Sequence, residues 1–500
     1  KAVDNVSFSL NEGEILAIGK LIISSLILRR AFPNFPITII GSQEVPIIGV
    51  GEGSQEHLAI FLDYCKLERA EILPASLATL KKGIRFENWG SSFPDYFHAI
   101  VGGPQDFSLG SFGFNAEYAE LLRTETPISE GLVTKERIFS DETSVNQPFR
   151  SVNQYHFDTY ELNDYFTLKA KQRNIQVVDG HVEKVNTKDG IIGSVVLKDG
   201  SLINGDFWID ASGFNRILMS HLSENNWCSY SDYLLTDSAI AFRTPLDESG
   251  KIHPYTRARA LSSGWAWEIP TQTQRGNGYV YSSQFCSEEE AVAEMEKLLN
   301  VEISEYRTFT FDPGHLKDIW VGNCVGMGLA GSFIEPLEAT SIGTTIAQTN
   351  GLLQYLASYQ PSNDNSRQQY KEGFEALMSN ILDMIRLHYV SDREDTPFWK
   401  AQKEAPLTES LEKLLDLWKE KVPDVSDIRI KNREMHMFFG SNFYLVAQAQ
   451  GLLDPQLAEK SLDAYGLSES IKDVMYKIRE HHLSSPYEDH AEAIKRLSSN

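Results

Sequence analysis

One short aromatic stretch combines residue types and a spacing that could build a rigid wall. It reads Trp265-Ala266-Trp267-Glu268-Ile269-Pro270. In a strand, side chains two residues apart point to the same face, so the two indoles would form a continuous apolar surface. Pro270 has no N–H to donate and should end the pairing of the strand. A pair of core aromatics has the same spacing, and the stretch alone leaves that alternative open.

Two charged residues, Lys81 and Glu338, have side chains that suit electrophilic and acid–base chemistry. A lysine ammonium is a compact charge with three hydrogen-bond donors. A carboxylate near an ammonium stays ionised and can accept a proton. Lys82 is a nearby alternative, which strand alternation would send to the opposite face. Taken alone, a lysine is more often a solvated surface residue, and Glu338 would also suit the dipole of a helix start.

Several glycine-containing segments suit the binding of a phosphate or another anion, because glycine lets the backbone approach the ligand closely. Residues 49–52 place a carboxylate beside two glycines, although two close glycines can also mark a simple turn. Residues 210–213 place a carboxylate and a glycine at the end of a predicted strand. Residues 322–341 contain a glycine-rich turn that feeds a helix, whose first N–H groups would attract an anion.

The elements that must position these residues form an α/β pattern followed by a helical one. The first strand–helix–strand run has the form that opens a dinucleotide fold. Strands are predicted over residues 14–18, 37–40, 175–178, 194–198 and 206–209. Helices are predicted over residues 21–32, 57–67, 367–390, 407–421 and 458–479, with a polar loop over residues 361–366. The link between Lys20 and Leu21 is too short to join a strand to a helix, so we expect a phosphate-binding loop to be missing there.

Together these segments resemble the flavin-dependent halogenases, a tryptophan halogenase-like family, over nearly the whole chain. The Trp-x-Trp-x-Ile-Pro stretch and the long agreement across residues 322–341 carry the resemblance. It implies a FAD-binding flavoprotein monooxygenase-like box over residues 1–360, with an interleaved substrate-side sheet, and a largely helical substrate-side subdomain over residues 361–500. The implied activity uses FADH2 and oxygen to turn halide into hypohalous acid, which then halogenates an electron-rich aromatic or heteroaromatic small molecule.

The resemblance also implies roles for individual residues. Lys81 would direct the hypohalous acid to one ring carbon, and Glu338 would hold the oxidant with Lys81 and take the ring proton. The amides of Thr340 and Ser341 would hold chloride, bromide or iodide, and Ser341 stands in place of the usual glycine, which leaves the halide preference open. The barrier between flavin and substrate would consist of Trp265, Trp267, Ile269 and Pro270. The residues expected to bind FAD are Gly19, Gly49, Gly51, Glu52, Asp210, Gly213, Gly331 and Leu337.

The region expected to bind substrate departs most from the family. His98 falls near a position that contacts the aromatic substrate, and Ile100 stands where an aromatic is expected. Residues 434–444 replace a longer acidic and aromatic stretch that, by the resemblance, binds free tryptophan in relatives. We expect Phe438 and Phe439 to contact a substrate other than free tryptophan, because methionine and phenylalanine give an adaptable apolar surface. The same apolar residues would also suit a helix core.

Composition excludes several other classes of protein. The chain has 500 residues and a net charge of -23, which disfavours nucleic acid and anionic membranes as partners. Its four cysteines are scattered, without a Cys-x-x-Cys pair, so we expect neither disulfides nor a metal site and favour a reducing cytoplasm. The longest apolar run, residues 21–28, is too short to span a bilayer.

Two other functions share part of the pattern. A flavin-dependent aromatic monooxygenase would have the same cofactor box but would place its substrate against the flavin ring, which the tryptophan pair and Lys81 disfavour. Residues 2–18 resemble the strands that lead into the phosphate loop of an ATP-binding transporter subunit, but no Gly-x-x-x-x-Gly-Lys-Ser/Thr motif follows. The halogenase interpretation implies a separate NAD(P)H-dependent flavin reductase as partner and is compatible with a homo-oligomer.

Overall fold

The computed structural model describes most of the chain. The described residues are 15–19, 22–42, 49, 51–92, 94–99, 137–139, 154–224, 226–246, 249–357, 364–464, 466, 469, 473 and 487–498. Three sequence-based predictions therefore lie outside the described residues. They concern the link between Lys20 and Leu21, the side chain of Ile100, and the ATPase-like run before residue 15.

The described strands and helices are numbered in chain order. The strands β1 to β24 are Ile15–Gly19, Ile37–Gly41, Glu52–Gly53, Thr79–Leu80, Gly83–Glu87, Tyr96–Ala99, Arg137–Phe139, Tyr155–Phe157, Gln176–Asp179, Val182–Lys188, Ile191–Leu197, Leu202–Asn204, Phe207–Ala211, Trp227–Ser229, Ser238–Pro245, Thr256–Ala260, Gly264–Pro270, Gln274–Tyr281, Arg307–Thr310, Gly314–Leu316, Trp320–Val321, Cys324–Gly326, Ser332–Phe333 and Tyr487–Asp489. The helices α1 to α12 are Ile22–Ala31, Glu56–Tyr64, Arg69–Ala75, Thr159–Gln172, Glu288–Leu299, Thr340–Leu356, Asp364–His388, Pro397–Glu404, Glu409–Trp418, Gly440–Ala449, Pro455–Ala464 and His490–Ser498.

A six-stranded sheet with the order β21-β22-β13-β1-β2-β9 forms the first layer. Strand β1 pairs in parallel with both β2 and β13, and α1 provides the connection from β1 to β2. The apolar side chains of α1 are buried at Leu26, Ile27 and Leu28, which gives the helix its packing face. The predicted strand–helix–strand unit is therefore confirmed. The carboxyl ends of β1, β13 and β22 meet at one edge, where open parallel sheets bind their ligands.

A seven-stranded sheet with the order β19-β15-β18-β17-β16-β5-β6 forms the second layer. The predicted aromatic strand is β17, which lies between β16 and β18 and ends at Pro270. Gly278 of β18 pairs opposite Trp267, and a Cβ at Gly278 would overlap the indole ring of that residue. The absence of a side chain at Gly278 therefore gives the Trp267 indole its space over the sheet.

The helices of the last third of the chain confirm the predicted pattern with shifted boundaries. Helix α7 is 25 residues long and begins at Asp364, so part of the predicted polar loop is the first turn of this helix. An aspartate in a first turn interacts favourably with the helix dipole, which explains the earlier start. Helix α11 covers Pro455–Ala464, and most of the rest of the predicted helix at 458–479 lies outside the described residues.

One hydrophobic core contains residues from both sides of position 360, from Ile22 in α1 to Leu497 in α12. The division into residues 1–360 and 361–500 stays a prediction. Within the part of the chain that is described, no helix has both the length and the apolar character to cross a membrane.

Gly278→Ala should destabilise the fold, because the added methyl group would overlap Trp267 and the Ile240 carbonyl oxygen. Such overpacking costs about 1–3 kcal/mol of unfolding free energy. Gly193→Ala is the matched control, since a Cβ at that strand position meets nothing within 4 Å. Urea unfolding of both variants measures the difference, and equal stability of the two would contradict the packing described for Trp267.

Candidate active site

A cleft with an empty volume of about 1470 Å³, including its mouth, lies between the second sheet and residues 328–344. Met378 and Ile381 of α7 also line it, so the helical part of the chain contributes to the same site. The predicted site residues that line the cleft are Gly49, Gly51, Glu52, Trp265, Trp267, Ile269, Leu337, Glu338, Thr340 and Ser341.

The two predicted tryptophans form adjacent parts of the cleft wall. Their ring centroids are 6.2 Å apart, with an interplanar angle of 55°. The indole N–H of Trp265 donates to Glu335 Oε1 at 3.1 Å, which fixes the orientation of the ring. Pro270 does not line the cleft, and its carbonyl accepts a hydrogen bond from Thr79 Oγ1 at 2.8 Å. The predicted common face of Trp265 and Trp267 is confirmed by their shared position in the lining.

Glu335 is a buried carboxylate behind this wall that sequence reasoning did not single out. It accepts hydrogen bonds from Trp265, from the Thr236 hydroxyl and from the Tyr389 hydroxyl at 2.9 Å. Burial raises the pKa of Glu335 to about 7, although these three hydrogen bonds oppose the shift. The sequence feature that could have identified Glu335 is its position as the one acid in the otherwise apolar run 333–337.

The glycines at residues 49–53 allow the chain to pass close to neighbouring backbone. Gly51 has φ +146°, and a Cβ on it would lie 3.4 Å from the Cα of Gly276. A Cβ at Gly49 would overlap the side chain of Thr159. Burial raises the pKa of Glu52, beside them in the cleft, to about 7. A larger residue at either glycine would therefore disturb this part of the lining.

Four other predicted cofactor-binding positions do not line the cleft. The Asp210 carboxylate accepts hydrogen bonds from the N–H groups of Ser212, Leu218 and Met219, all between 2.8 and 3.0 Å. A Cβ at Gly331 would lie 2.8 Å from a carbonyl oxygen, and neither residue lines the cleft. Gly213 starts a 3₁₀ turn with φ +72°, and Gly19 is the last residue of β1. Their roles in binding FAD stay predictions.

The backbone before α6 turns sharply and leaves the helix N-terminus facing the cleft. Glu338 and Ala339 have φ values of 66° and 55°, in the left-handed region that ordinary residues seldom adopt. Helix α6 then begins at Thr340, and no side chain caps its first N–H groups. Because Thr340 and Ser341 line the cleft, their amides provide a place for an anion.

Lys81 is buried between β4 and β5, with 1% of its surface exposed. Its Nζ donates to the Ser54 carbonyl oxygen at 2.9 Å. Burial lowers the pKa of Lys81 to about 8, while the charges of Glu338 and Glu56 oppose the shift. Lys82, in the same link, is half-buried. A solvated surface lysine is therefore excluded at position 81.

Glu338 lies at the centre of a buried network of polar contacts. Its Oε1 lies 2.6 Å from His98 Nδ1 and 3.0 Å from His388 Nε2. The Tyr96 hydroxyl lies 2.7 Å from Nδ1 of His388, and Asn442 Nδ2 lies 3.2 Å from Nε2 of His98. Burial alone would raise the pKa of Glu338, but the charge of His98 and the contacts with both imidazoles hold it well below its usual range. The glutamate is therefore ionised at neutral pH.

Sequence reasoning identified His98 and Glu338 but missed His388 and Asn442. Nothing in the local pattern of α7 marks the one histidine of this helix as a site residue, so no signal pointed to His388. The ligand atoms of His98, Glu338 and His388 lie within 4.8 Å of one another, a spacing that a metal ion could also use. A metal would have to replace the hydrogen bond at 2.6 Å, and the expectation of no metal stays untested.

The apolar residues predicted to contact substrate lie mainly in the core. Phe438 is 2% exposed, and its N–H and carbonyl are both hydrogen-bonded to the Asn380 side chain at 2.8 and 2.9 Å. Met435 and Met437 are buried beside glycines of α6. Phe439 is half-buried, with its ring edge-on to His436 at 5.1 Å. The roles of His98, Phe438 and Phe439 toward substrate stay predictions.

The parallel strands, the cleft and the buried lysine and glutamate beside an aromatic wall are compatible with a dinucleotide-binding oxidoreductase. The tryptophan halogenase family model matches residues 22–466, and the chain belongs to that family. It is a flavin-dependent halogenase with a mixed α/β, Rossmann-like fold, which confirms the predicted fold class and activity. Enzymes of this kind use FAD, halide and an aromatic substrate, and generally a separate flavin reductase.

Named relatives and solved structures show the extent of the similarity. Tryptophan 7-halogenase RebH of Lentzea aerocolonigenes is 29% identical over 89% of this chain and 90% of its own length. The 7-chloro-L-tryptophan 6-halogenase KtzR of Kutzneria sp. is 30% identical over 80% of this chain and 83% of its own. A flavin-dependent halogenase structure from Xanthomonas campestris has a TM-score of 0.82 at 26% identity, covering 97% of this chain and 98% of that one.

Glu335→Gln should change how stability depends on pH. Native Glu335 has a pKa of about 7, above the ordinary value of 4.5, so the folded state binds this proton more tightly than the unfolded state. Its contribution is present below pH 4.5 and is lost as the pH rises to about 7, by about 3 kcal/mol in total. Glutamine cannot titrate, so the stability of the wild type relative to Glu335→Gln should fall across this range.

Denaturant unfolding at a series of pH values measures that difference. Glu305→Gln, at an exposed position, serves as the control. Parallel pH profiles for the wild type and Glu335→Gln would show that burial does not raise the proton affinity of Glu335.

Proposed function

We propose that this halogenase binds FAD as FADH2 in the cleft and uses chloride, bromide or iodide as its halide. The glycines at 49 and 51, which line the cleft, support this placement because they let the backbone approach a ligand closely. When bound, the reduced flavin supplies the two electrons with which oxygen and halide yield hypohalous acid and water. A separate NAD(P)H-dependent reductase would supply the FADH2.

The tryptophan wall would separate the flavin from the organic substrate. Trp265 is held by Glu335, and Ile269 lies beside Gly51, so the wall borders the part of the cleft assigned to the cofactor. The uncapped amides of Thr340 and Ser341 would hold the halide in the same cleft, since a helix N-terminus favours negative charge. A small oxidant passes such a barrier more readily than an aromatic substrate.

Lys81 and Glu338 would transfer the halogen, and their burial together is the observation that carries this proposal. With a pKa of about 8, the Lys81 ammonium is mostly protonated at pH 7 and can donate to the oxygen of hypohalous acid. The halogen joins a ring carbon, its bond to oxygen breaks, and the oxygen leaves as water. Glu338, held ionised by its imidazole partners, accepts the proton lost from that ring carbon.

The substrate is proposed to be an electron-rich aromatic other than free tryptophan. A free amino acid needs partners for its ammonium and its carboxylate, because unpaired charges are costly to desolvate. Residues 434–444 offer one acid, Glu434, which is exposed, and the apolar residues that follow it pack largely into the core. The segment that the family resemblance implies for binding the amino acid group therefore supplies little charge here.

Lys81→Ala should abolish aromatic halogenation while FAD binding and hypohalous acid formation continue. The reason is that the ammonium acts on the oxidant after it has formed, at a distance from the flavin. Product analysis, FAD titration and capture of free hypohalous acid by a small scavenger measure the three steps. Lys82→Ala is the control, and halogenation by Lys81→Ala at a near wild-type rate would remove Lys81 from the mechanism.

Free tryptophan should be a poor substrate compared with phenols and indoles that lack the amino acid group. Competition kinetics on such a panel, with product masses determined for chloride, bromide and iodide, provides the comparison. Saturable, high-affinity halogenation of tryptophan at one ring carbon, with the other aromatics ignored, would contradict the proposed substrate class.

A further inference from the structure

The carboxylate of Glu338 is bound unequally at its two oxygens. Both imidazoles contact Oε1, at 2.6 Å from His98 and 3.0 Å from His388. Within the described part of the chain, no hydrogen bond reaches Oε2. The backbone is also held, since Gln55 Nε2 donates to the Glu338 carbonyl oxygen at 2.8 Å. Oε2 is therefore the oxygen left to accept a proton from the substrate.

His388 is itself held rigidly in the position that contacts Oε1. It is the last residue of α7 and is fully buried. Its ring stacks on Phe86 at 4.5 Å with an interplanar angle of 15°, and Gln450 Nε2 donates to its carbonyl oxygen at 2.8 Å. These contacts place the imidazole before any substrate binds, as a preorganised site requires.

The proton arrangement of His388 follows from its two neighbours. Burial raises the pKa of Tyr96 well above its ordinary value, so the Tyr96 hydroxyl keeps its proton and donates to His388 Nδ1. Burial also lowers the pKa of His388, which favours a neutral ring. With Nδ1 accepting from Tyr96, the single ring proton lies on Nε2, the nitrogen that is 3.0 Å from Oε1 of Glu338.

We propose that His388 is a positioning residue for Glu338, holding Oε1 so that Oε2 faces the reacting ring carbon as an ionised base. This inference rests on the proposed role of Glu338 in accepting the ring proton. His388 acts through Glu338 and touches neither the halogen nor the ring. The charged or titratable groups that face Glu338 are His98 from β6, His388 from α7, Tyr96 from β6 and Lys81 from the β4–β5 link.

His388→Phe removes the donor and keeps a stacking ring, whereas His388→Gln keeps a donor near the position of Nε2. In His388→Phe, kcat for halogenation should fall by about tenfold to a hundredfold, because the base is misplaced. KM and the rate of flavin oxidation should not change, and the acidic limb of the kcat–pH profile should move to higher pH. His388→Gln should recover most of kcat and the wild-type profile. Thermal melting and FAD titration confirm that both variants are folded.

A double variant distinguishes failure of this inference from failure of the proposed function. If His388 acts only through Glu338, adding His388→Phe to Glu338→Gln should cause little further loss of kcat. A further loss as large as in the wild-type background would overturn the positioning role, as would a wild-type pH profile in folded His388→Phe. An unaffected kcat in Glu338→Gln alone would instead overturn the proposed function of the glutamate.

Discussion

The burial of ionised groups beside an apolar wall is the constraint on which the active site depends. An unpaired charge in such a place is costly, so each buried group needs partners that are themselves fixed. The partners of Glu338 are His98 on β6, His388 at the end of α7 and Lys81 beside β4. Elements from distant parts of the chain must therefore meet at one carboxylate.

The wall and the transfer site are connected through one short stretch of chain. Glu335 and Glu338 are three residues apart. Tyr389 donates to Glu335 and the neighbouring His388, at the end of α7, contacts Glu338. Glu335 fixes Trp265, while Glu338 provides the proposed base. Movement of the α7 end relative to residues 335–338 would thus disturb the proposed barrier and the proposed base together. The same helix contributes Met378 and Ile381 to the cleft.

Local sequence patterns predicted the elements well and the long-range contacts poorly. The first strand–helix–strand unit and the aromatic strand follow from periodicity, which depends on nearby residues. The pairing of Glu338 with His388 depends on packing between segments, and no local pattern records it. The apolar residues before α10 were predicted to bind substrate but lie mainly in the core. Sequence could not distinguish the two roles, since core and substrate-binding residues share the same apolar character.

The role of Asp210 could not be inferred from its position in the sequence alone. A carboxylate at the end of a central strand was predicted to bind the cofactor, whereas its described hydrogen bonds are made within its own loop and the turn that follows. The sequence places the acid correctly but does not reveal which N–H groups it accepts from. Lys81 was located by the resemblance of its surroundings, and its burial then supplied an independent physical reason for a special role.

The role of the buried glutamate is tested most directly by a single-turnover measurement on Glu338→Gln. Glutamine keeps the shape of the side chain but cannot accept a proton from the ring carbon. Mixed with FADH2, oxygen, halide and an aromatic substrate, the variant should oxidise the flavin at the wild-type rate, while halogenated product forms at least about a hundredfold more slowly. Product formation at the wild-type rate would contradict transfer by the Lys81–Glu338 pair.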